Sequence, residues 1–218
     1  MATTTLLAGD MGGTKTLLAL YGSEAGQLSL LHQERFGSGE WSSLEPMLEA
    51  FLNNRPADLP APTHACIAVA GPVRHKEARI TNLPWRLREA DLARAAGTER
   101  LELVNDFGVL IYGLPHFDGN QQVILQNGQQ DKGPLAILGA GTGLGMARGL
   151  QSEQGLVALA SEGGHREFAP RNEAEWELAC WLKQDLGVSR LSIERIVSGT
   201  GLGHVAHWLD RLTERATC

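Results

Sequence analysis

Leu6-Leu7-Ala8-Gly9-Asp10-Met11-Gly12-Gly13-Thr14-Lys15-Thr16-Leu17-Leu18-Ala19-Leu20-Tyr21 sets two apolar runs around a turn of glycine, aspartate and threonine. The spelling invites a P-loop, but Thr14 stands where G-x-x-x-x-G-K-[ST] needs its second glycine. A P-loop must also open a helix, whereas the run Thr16 to Tyr21 is short and ends at Gly22-Ser23. The loop therefore lies between two strands. A third strand, Leu28 to Phe36, follows the turn at Gly22 to Gly26, so the opening is a β-meander. A plain hairpin turn is served by one or two glycines. Three glycines with Asp10 and the Thr14 hydroxyl favour a loop that cradles phosphate oxygens, with Lys15 supplying charge and Asp10 placed to position Mg²⁺ through water.

A second strand, Gly/Thr turn and strand occurs at Leu135-Ala136-Ile137-Leu138-Gly139-Ala140-Gly141-Thr142-Gly143. Two copies of one unit suggest two related lobes that face a shared ligand. The second turn misses the dinucleotide fingerprint, because Leu144 holds its sixth position and a strand, Met146 to Leu150, follows in place of a helix. Its readings are a structural turn or a second phosphate hairpin that clamps the β- and γ-phosphates with the first.

Between and beyond the two turns the chain alternates strands and helices. Ser42-Ser43-Leu44-Glu45 has capping-box spacing, and Leu44, Met47, Leu48, Phe51 and Leu52 form one helical face before the proline-rich loop Asn53 to Pro62. A buried strand Ala65 to Ala70, a helix near Arg88 to Ala96 closed by Gly97, and a strand Leu101 to Val104 follow. Gln122 to Gln126 also reads as a strand. Asn172 with Glu175 predicts a helix start, Ala174, Leu178, Trp181 and Leu182 its inward stripe, and Gly187 its stop. A last helix begins after Thr200, with Leu202, Val205, Ala206 and Leu209 on one side. A lobe boundary near Gly108 to Gly113 divides the chain into an N-terminal lobe, 1–110, and part of a second, 111–218.

Composition limits the function. The 218 residues have 20% charged and 43% hydrophobic residues and a net charge of -6, the profile of a globular protein of one or two domains. Scattered among 25 acids, the 19 basic residues offer no nucleic-acid face. The longest runs without charge, Leu59 to Val73 and Gly133 to Ala147, are broken by proline or glycine, so no membrane helix is expected. Met1-Ala2-Thr3-Thr4-Thr5 has no basic start, which argues against a secretory signal and for the cytoplasm. Cys66, Cys180 and Cys218 lack metal or disulfide spacing and read as buried reduced thiols. Glycine is enriched, 26 residues, and half of it clusters at Gly9 to Gly13, Gly139 to Gly149, Gly163-Gly164 and Gly199 to Gly203.

Asn105-Asp106 follows a strand in the βα manner, which puts the Asp106 carboxylate where ligands of α/β sheets bind. It can serve as a general base in phosphoryl transfer or simply cap Phe107 to Gly113. Glu162-Gly163-Gly164-His165 sets a carboxylate and an imidazole on flexible backbone, suited to vicinal hydroxyls, although a lone histidine is more often a surface or core residue. Glu194 taken alone reads as a solvated helix residue.

In order, Gly9-Asp10-Met11-Gly12-Gly13-Thr14, Thr81-Asn82-Leu83-Pro84-Trp85, Val104-Asn105-Asp106-Phe107, Gly139-Ala140-Gly141-Thr142-Gly143-Leu144-Gly145, Glu162-Gly163-Gly164-His165 and Glu194-Arg195-Ile196-Val197-Ser198-Gly199 resemble bacterial glucokinase across nearly the whole chain. The resemblance implies the α/β actin-like ATPase (ribonuclease H-like, hexokinase) fold, two lobes with a cleft between them, and transfer of the ATP γ-phosphoryl group to the 6-hydroxyl of glucose. It implies that Asp106 is the catalytic base and that Asn105, Asp106, Glu162, His165 and Glu194 bind the sugar. It also implies that Gly9, Asp10, Met11, Gly12, Gly13, Thr14, Gly141, Thr142 and Gly143 hold the nucleotide, with Mg²⁺ arriving on ATP. A homodimer is compatible with the family. The family continues past Cys218 into an adenine wall and a closing helix, so the chain resembles the first two thirds of a glucokinase with its second lobe cut short. The alternatives left open are a non-catalytic sugar-binding remnant, a kinase for mannose or fructose, and ADP or polyphosphate as donor. Relatives with a zinc-binding cysteine cluster are not matched.

Overall fold

Strands β1 (Thr4–Met11), β2 (Lys15–Glu24) and β3 (Gln27–Gly37) form the expected antiparallel meander, each longer than its apolar run alone predicts. The molecule, a computed structural model, describes residues 4–80, 83–129, 133–153 and 155–216. It divides into two compact units, 1–109 and 110–218.

In the first unit β4 (His64–Val69) and β8 (Arg100–Asn105) complete a five-stranded sheet of order β3-β2-β1-β4-β8. β1 and β4 are parallel, as are β4 and β8, and the register aligns Met11 with Val69 and Val69 with Asn105. Three strands therefore deliver their carboxyl ends to one sheet edge, the position where open α/β sheets place ligands. Parallel neighbours require crossovers. These carry α1 (Leu44–Asn54) and α2 (Glu89–Ala96). The α1 stripe is buried at every predicted position, Leu44, Met47, Leu48, Phe51 and Leu52. At roughly 1.5–3 kcal/mol for each large apolar side chain, that burial rather than capping fixes the helix. The capping box does not form: Ser43 is the N-cap and its side chain makes no capping bond. Gly97 closes α2 at φ 61°, as read from the sequence.

A small sheet of β5 (Val73–Arg74), β6 (Glu77–Arg79) and β7 (Arg86–Arg88) adds to the strands read from the sequence. Arg86, with Arg88 beside it, holds the Glu77 carboxyl below its ordinary range. On the sheet face away from α1, a groove of about 470 Å³ is lined by Leu6, Ala8, Tyr21, Leu28 and Cys66. Burial there pushes the Cys66 thiol up, with Glu102 adding to the shift. The expectation of buried thiols is corrected at both described cysteines: Cys66 is half-buried, and Cys180 is exposed because it lies off the packed stripe of its helix. Cys218 lies outside the described residues.

The second unit carries another antiparallel meander, β9 (Leu135–Ala140), β10 (Leu144–Ser152) and β11 (Gly155–Ser161). The hairpin of β9 and β10 repeats that of β1 and β2, as the paired motifs predict. Gln122 to Gln126 is not a strand; Val123, Ile124 and Leu125 stand 84%, 73% and 95% exposed. Strand propensity needs a neighbouring strand to act on, and none pairs with this run among the described residues.

A second core gathers Leu178, Ala179 and Leu182 of α4 (Glu173–Asp185) with Leu191 beyond it, and Trp181 and, from α5 (Gly199–Ala216), Val205 and Trp208 pack against them. Ala174 is exposed, because the buried stripe starts a turn later. Leu202 and Leu209 are also exposed, so α5 presents Val205 and Trp208 inward rather than its most aliphatic line. The Asn172 Oδ1 accepts the Glu175 N–H at 2.9 Å, as its spacing predicts. Asn172→Ala is expected to cost about 1 kcal/mol of stability in urea titration, the usual weight of an N-cap. No described helix is long and apolar enough to cross a membrane.

Candidate functional site

At the carboxyl edge of the first sheet, the β1–β2 turn is closed by the Gly12 N–H donating to the Lys15 carbonyl at 2.9 Å. Asp10, Thr14 and Lys15 are exposed, and Gly12 and Gly13 are half-buried. Gly9 and Met11 differ from the rest of the motif. Met11 lies in the core at 0% exposure, and a side chain on Gly9 would press on Leu18 and Ile67. These two residues build the strand, and within Gly9 to Thr14 only Asp10 and residues 12–14 reach the surface.

On the same edge, β8 runs into α3 (Asp106–Gly113) through Asn105. Asn105, not Asp106, does most of the capping. Its Oδ1 accepts the N–H groups of Phe107 at 3.1 Å and Gly108 at 2.9 Å. Its amide donates to the Gly71 carbonyl at 3.0 Å and to Asp106 Oδ1 at 3.0 Å. Asp106 Oδ1 also accepts the Phe107 N–H at 2.9 Å. The carboxylate thus sits at a helix start, held on one oxygen by two donors, an orientation that a helix N-terminus favours for an anion. Gly71, at φ +142°, makes the turn after β4 that offers its carbonyl to Asn105.

In the second unit, a 3₁₀ turn at Gly163–His165 follows β11, and another at Ile193–Arg195 precedes α5. They bring three predicted residues together. His165 Nδ1 lies 3.0 Å from Glu194 Oε1, and His165 Nε2 lies 3.5 Å from Glu162 Oε2. A ring nitrogen that bears hydrogen donates, and both carboxylates only accept, so the cluster offers donors and acceptors to adjacent hydroxyls. Glycines allow the approach. A Cβ on Gly164 would fall on the Leu144 carbonyl oxygen, and one on Gly163 would strike Met146 Sδ. A Cβ on Gly143 would lie 2.9 Å from Glu194 Oε2, so the second Gly/Thr turn passes directly beside that carboxylate.

Residues outside the predicted set hold that turn. The Gly199 N–H donates to the Gly141 carbonyl at 2.7 Å, and the Thr200 hydroxyl donates to the Thr142 carbonyl at 3.0 Å. Ser198 Oγ donates to the Glu194 carbonyl at 2.7 Å and accepts the Gly201 N–H at 2.9 Å. The glycine cluster at Gly199 to Gly203 was the sequence signal for this contact, without indicating its partner. Glu194 is half-buried in its 3₁₀ turn rather than a solvated helix residue. Of the segment Thr81 to Trp85, Thr81 and Asn82 lie outside the described residues, and Trp85 is core. Among the described residues no group of three or more His, Cys, Asp or Glu is arranged to hold a metal ion.

The model of the family described as Glucokinase matches residues 7–217. The chain belongs to the glucokinase family. Among curated members of the family, the glucokinase of Nostoc sp. is 40% identical over 209 residues, covering 94% of this chain and 60% of that one. The glucokinase of Synechocystis sp. is 38% identical over 213 residues, covering 93% and 60%. A solved glucokinase from an Antarctic psychrotroph superposes with TM-score 0.77 at 31% identity, over 92% of this chain and 62% of that one. The fold is also shared with the glucokinase of Balamuthia mandrillaris solved with glucose, TM-score 0.73 at 23% identity. The chain spans about 60% of the length of these curated glucokinases. The α/β fold implied by the resemblance holds.

Proposed function

We propose that this glucokinase-family chain carries the machinery for ATP-dependent transfer of a phosphoryl group to the 6-hydroxyl of glucose. The observation that supports the reading is that each unit separately combines a Gly/Thr hairpin turn with amide, carboxylate or imidazole side chains of the kind that suit hydroxyls. In 1–109 the turn at 12–14 shares a sheet edge with Asn105 and Asp106. In 110–218 the turn at 141–143 abuts Glu194, which contacts His165.

Asn105, Glu162, His165 and Glu194 bind sugar hydroxyls and fix which of them is presented. The Asp106 carboxylate takes the proton of the 6-hydroxyl as its oxygen attacks the γ-phosphorus. The bond from that phosphorus to the β–γ bridging oxygen breaks, releasing ADP and glucose 6-phosphate. Gly13, Thr14 and residues 141–143 offer N–H groups and threonine hydroxyls to the phosphates. Mg²⁺ enters on the nucleotide and neutralises phosphate charge. Asp10, a single exposed carboxylate at the end of β1, suits one water-mediated contact to such an ion rather than a protein cage. Such a kinase draws on the cytoplasmic nucleotide pool, and that location is part of the reading.

The test is ADP release by the purified 218-residue chain with Mg-ATP, with and without glucose, beside mannose and fructose. Turnover that requires glucose and exceeds that with the other hexoses is the expected result. Glucose binding without ADP release would instead make the chain a sugar-binding protein, and release indifferent to sugar would reject the reading.

A further inference from the structure

We infer that Ser38 and Thr16, neither of them among the residues assigned to the nucleotide, are positioning residues for the nucleotide phosphates: they aim the Gly13 N–H. Both side chains are wholly buried, each at 0% exposure. Ser38 opens a short 3₁₀ turn directly after β3, beneath the β1–β2 hairpin. It grips the hairpin turn at two points. Its N–H donates to the Thr14 carbonyl at 3.0 Å, and its Oγ donates to the Gly12 carbonyl at 2.8 Å.

Thr16 Oγ1 lies 3.0 Å from Ser38 Oγ. A serine hydroxyl has one proton, and Ser38 commits it to Gly12, so the Thr16 proton must point to Ser38 Oγ. The result is a buried relay of one direction, from Thr16 to Ser38 to the Gly12 carbonyl. The hairpin has closing bonds besides this relay. The turn is already closed by the Gly12 N–H on the Lys15 carbonyl, and the strands by their ladder.

The relay fixes a peptide plane. No peptide bond in the described chain is cis, so the Gly13 N–H points opposite to the Gly12 carbonyl. Drawing that carbonyl inward onto Ser38 turns the Gly13 N–H away from the buried pair. Gly13 has no β-carbon, and glycine left free would sample several orientations of this plane. The hydroxyl pair selects one of them. This rests on the phosphate-binding role proposed for the turn at 12–14.

The experiment is calorimetric titration of the purified chain with Mg-ADP and, separately, with glucose, for wild type, Ser38→Ala, Thr16→Val and Thr16→Ser. Thr16→Val keeps the shape and deletes the hydroxyl, while Thr16→Ser keeps the hydroxyl. Ser38→Ala and Thr16→Val should each raise the Mg-ADP Kd about three- to tenfold, the weight of one well-made hydrogen bond, with glucose Kd unchanged. Thr16→Ser should match wild type. If Ser38→Ala is too unstable to titrate, the Thr16 pair decides alone. Mg-ADP binding equal in Thr16→Val and wild type overturns the proposal, as does a parallel loss of glucose affinity, which would mark a purely structural role. A wild type that binds glucose but no Mg-ADP overturns it together with the phosphate role of the turn. Binding of neither ligand rejects the functional reading as a whole.

Discussion

Asp106→Asn should lower glucose-dependent ADP release by about a hundredfold or more at saturating glucose, the lower end of what a general base contributes. The substitution isolates the chemistry. Asp106 Oδ1 accepts from the Asn105 amide and from the Phe107 N–H, and an amide oxygen at the same place accepts both. The start of α3 and the cap made by Asn105 on Phe107 and Gly108 therefore survive. What is lost is a group able to take a proton, since an amide is not a base near neutral pH. Glucose affinity should change little, and stability should fall by no more than about 1 kcal/mol, the weight of a carboxylate at a helix start. Retention of more than about a tenth of the rate would mean that another group, or solvent, takes the proton.

Gly164→Ala should be damaging in a different way. The added methyl falls on the main-chain oxygen of Leu144, and a backbone neighbour cannot swing aside as a side chain does. Either the Gly163–His165 turn or the start of β10 must move. The cost expected of forcing a methyl into a filled site is about 1–3 kcal/mol of stability. Movement of the turn separates His165 from Glu194, and movement of β10 shifts Gly143, which lies beside the same carboxylate. Both routes spoil one cluster, so glucose Kd should rise about tenfold or more. Gly128→Ala is the control, because nothing lies within 4 Å of its added carbon. Thermal melts and glucose titration of the two variants decide the matter. A Gly164→Ala chain that binds glucose like wild type would show that the contact yields without touching the site.

The parts of the fold that could be read from the sequence are those with local signals. The two Gly/Thr hairpins, the α1 stripe, the Gly97 stop and the Asn172 cap each depend on residues within a few positions of one another. Gln122 to Gln126 carries the residues of a strand, but pairing is supplied from elsewhere in a chain, and propensity cannot report its absence. β5, β6 and β7 escape notice for the opposite reason. They are two or three residues long and rich in arginine, so no alternation announces them. On α5 the aliphatic line Leu202 and Leu209 invites burial, yet the partners Leu178 and Leu182 select Val205 and Trp208.

The site divides in the same manner. Asn105 and Asp106 could be placed at a strand end from their own neighbours, although which of the two caps the helix depended on side-chain geometry. Taken alone Glu194 reads as a surface glutamate, because His165 and Gly143, which give it surroundings, lie far away in sequence, and only the family motif singles it out. Thr16 and Ser38 are 22 positions apart, and Thr200 and Thr142 are 58 apart. Hydroxyls that act over such separations leave no periodic trace.

Around Gly141, Gly143, Gly164 and Gly199 main chain rests on main chain or on a single carboxylate, with no intervening side chain. Such contacts have no rotamers to freeze. A ligand entering this region meets groups whose conformational freedom was surrendered when the chain folded, so little further ordering opposes its binding. Rigidity obtained by omitting side chains also leaves few of these positions free to vary.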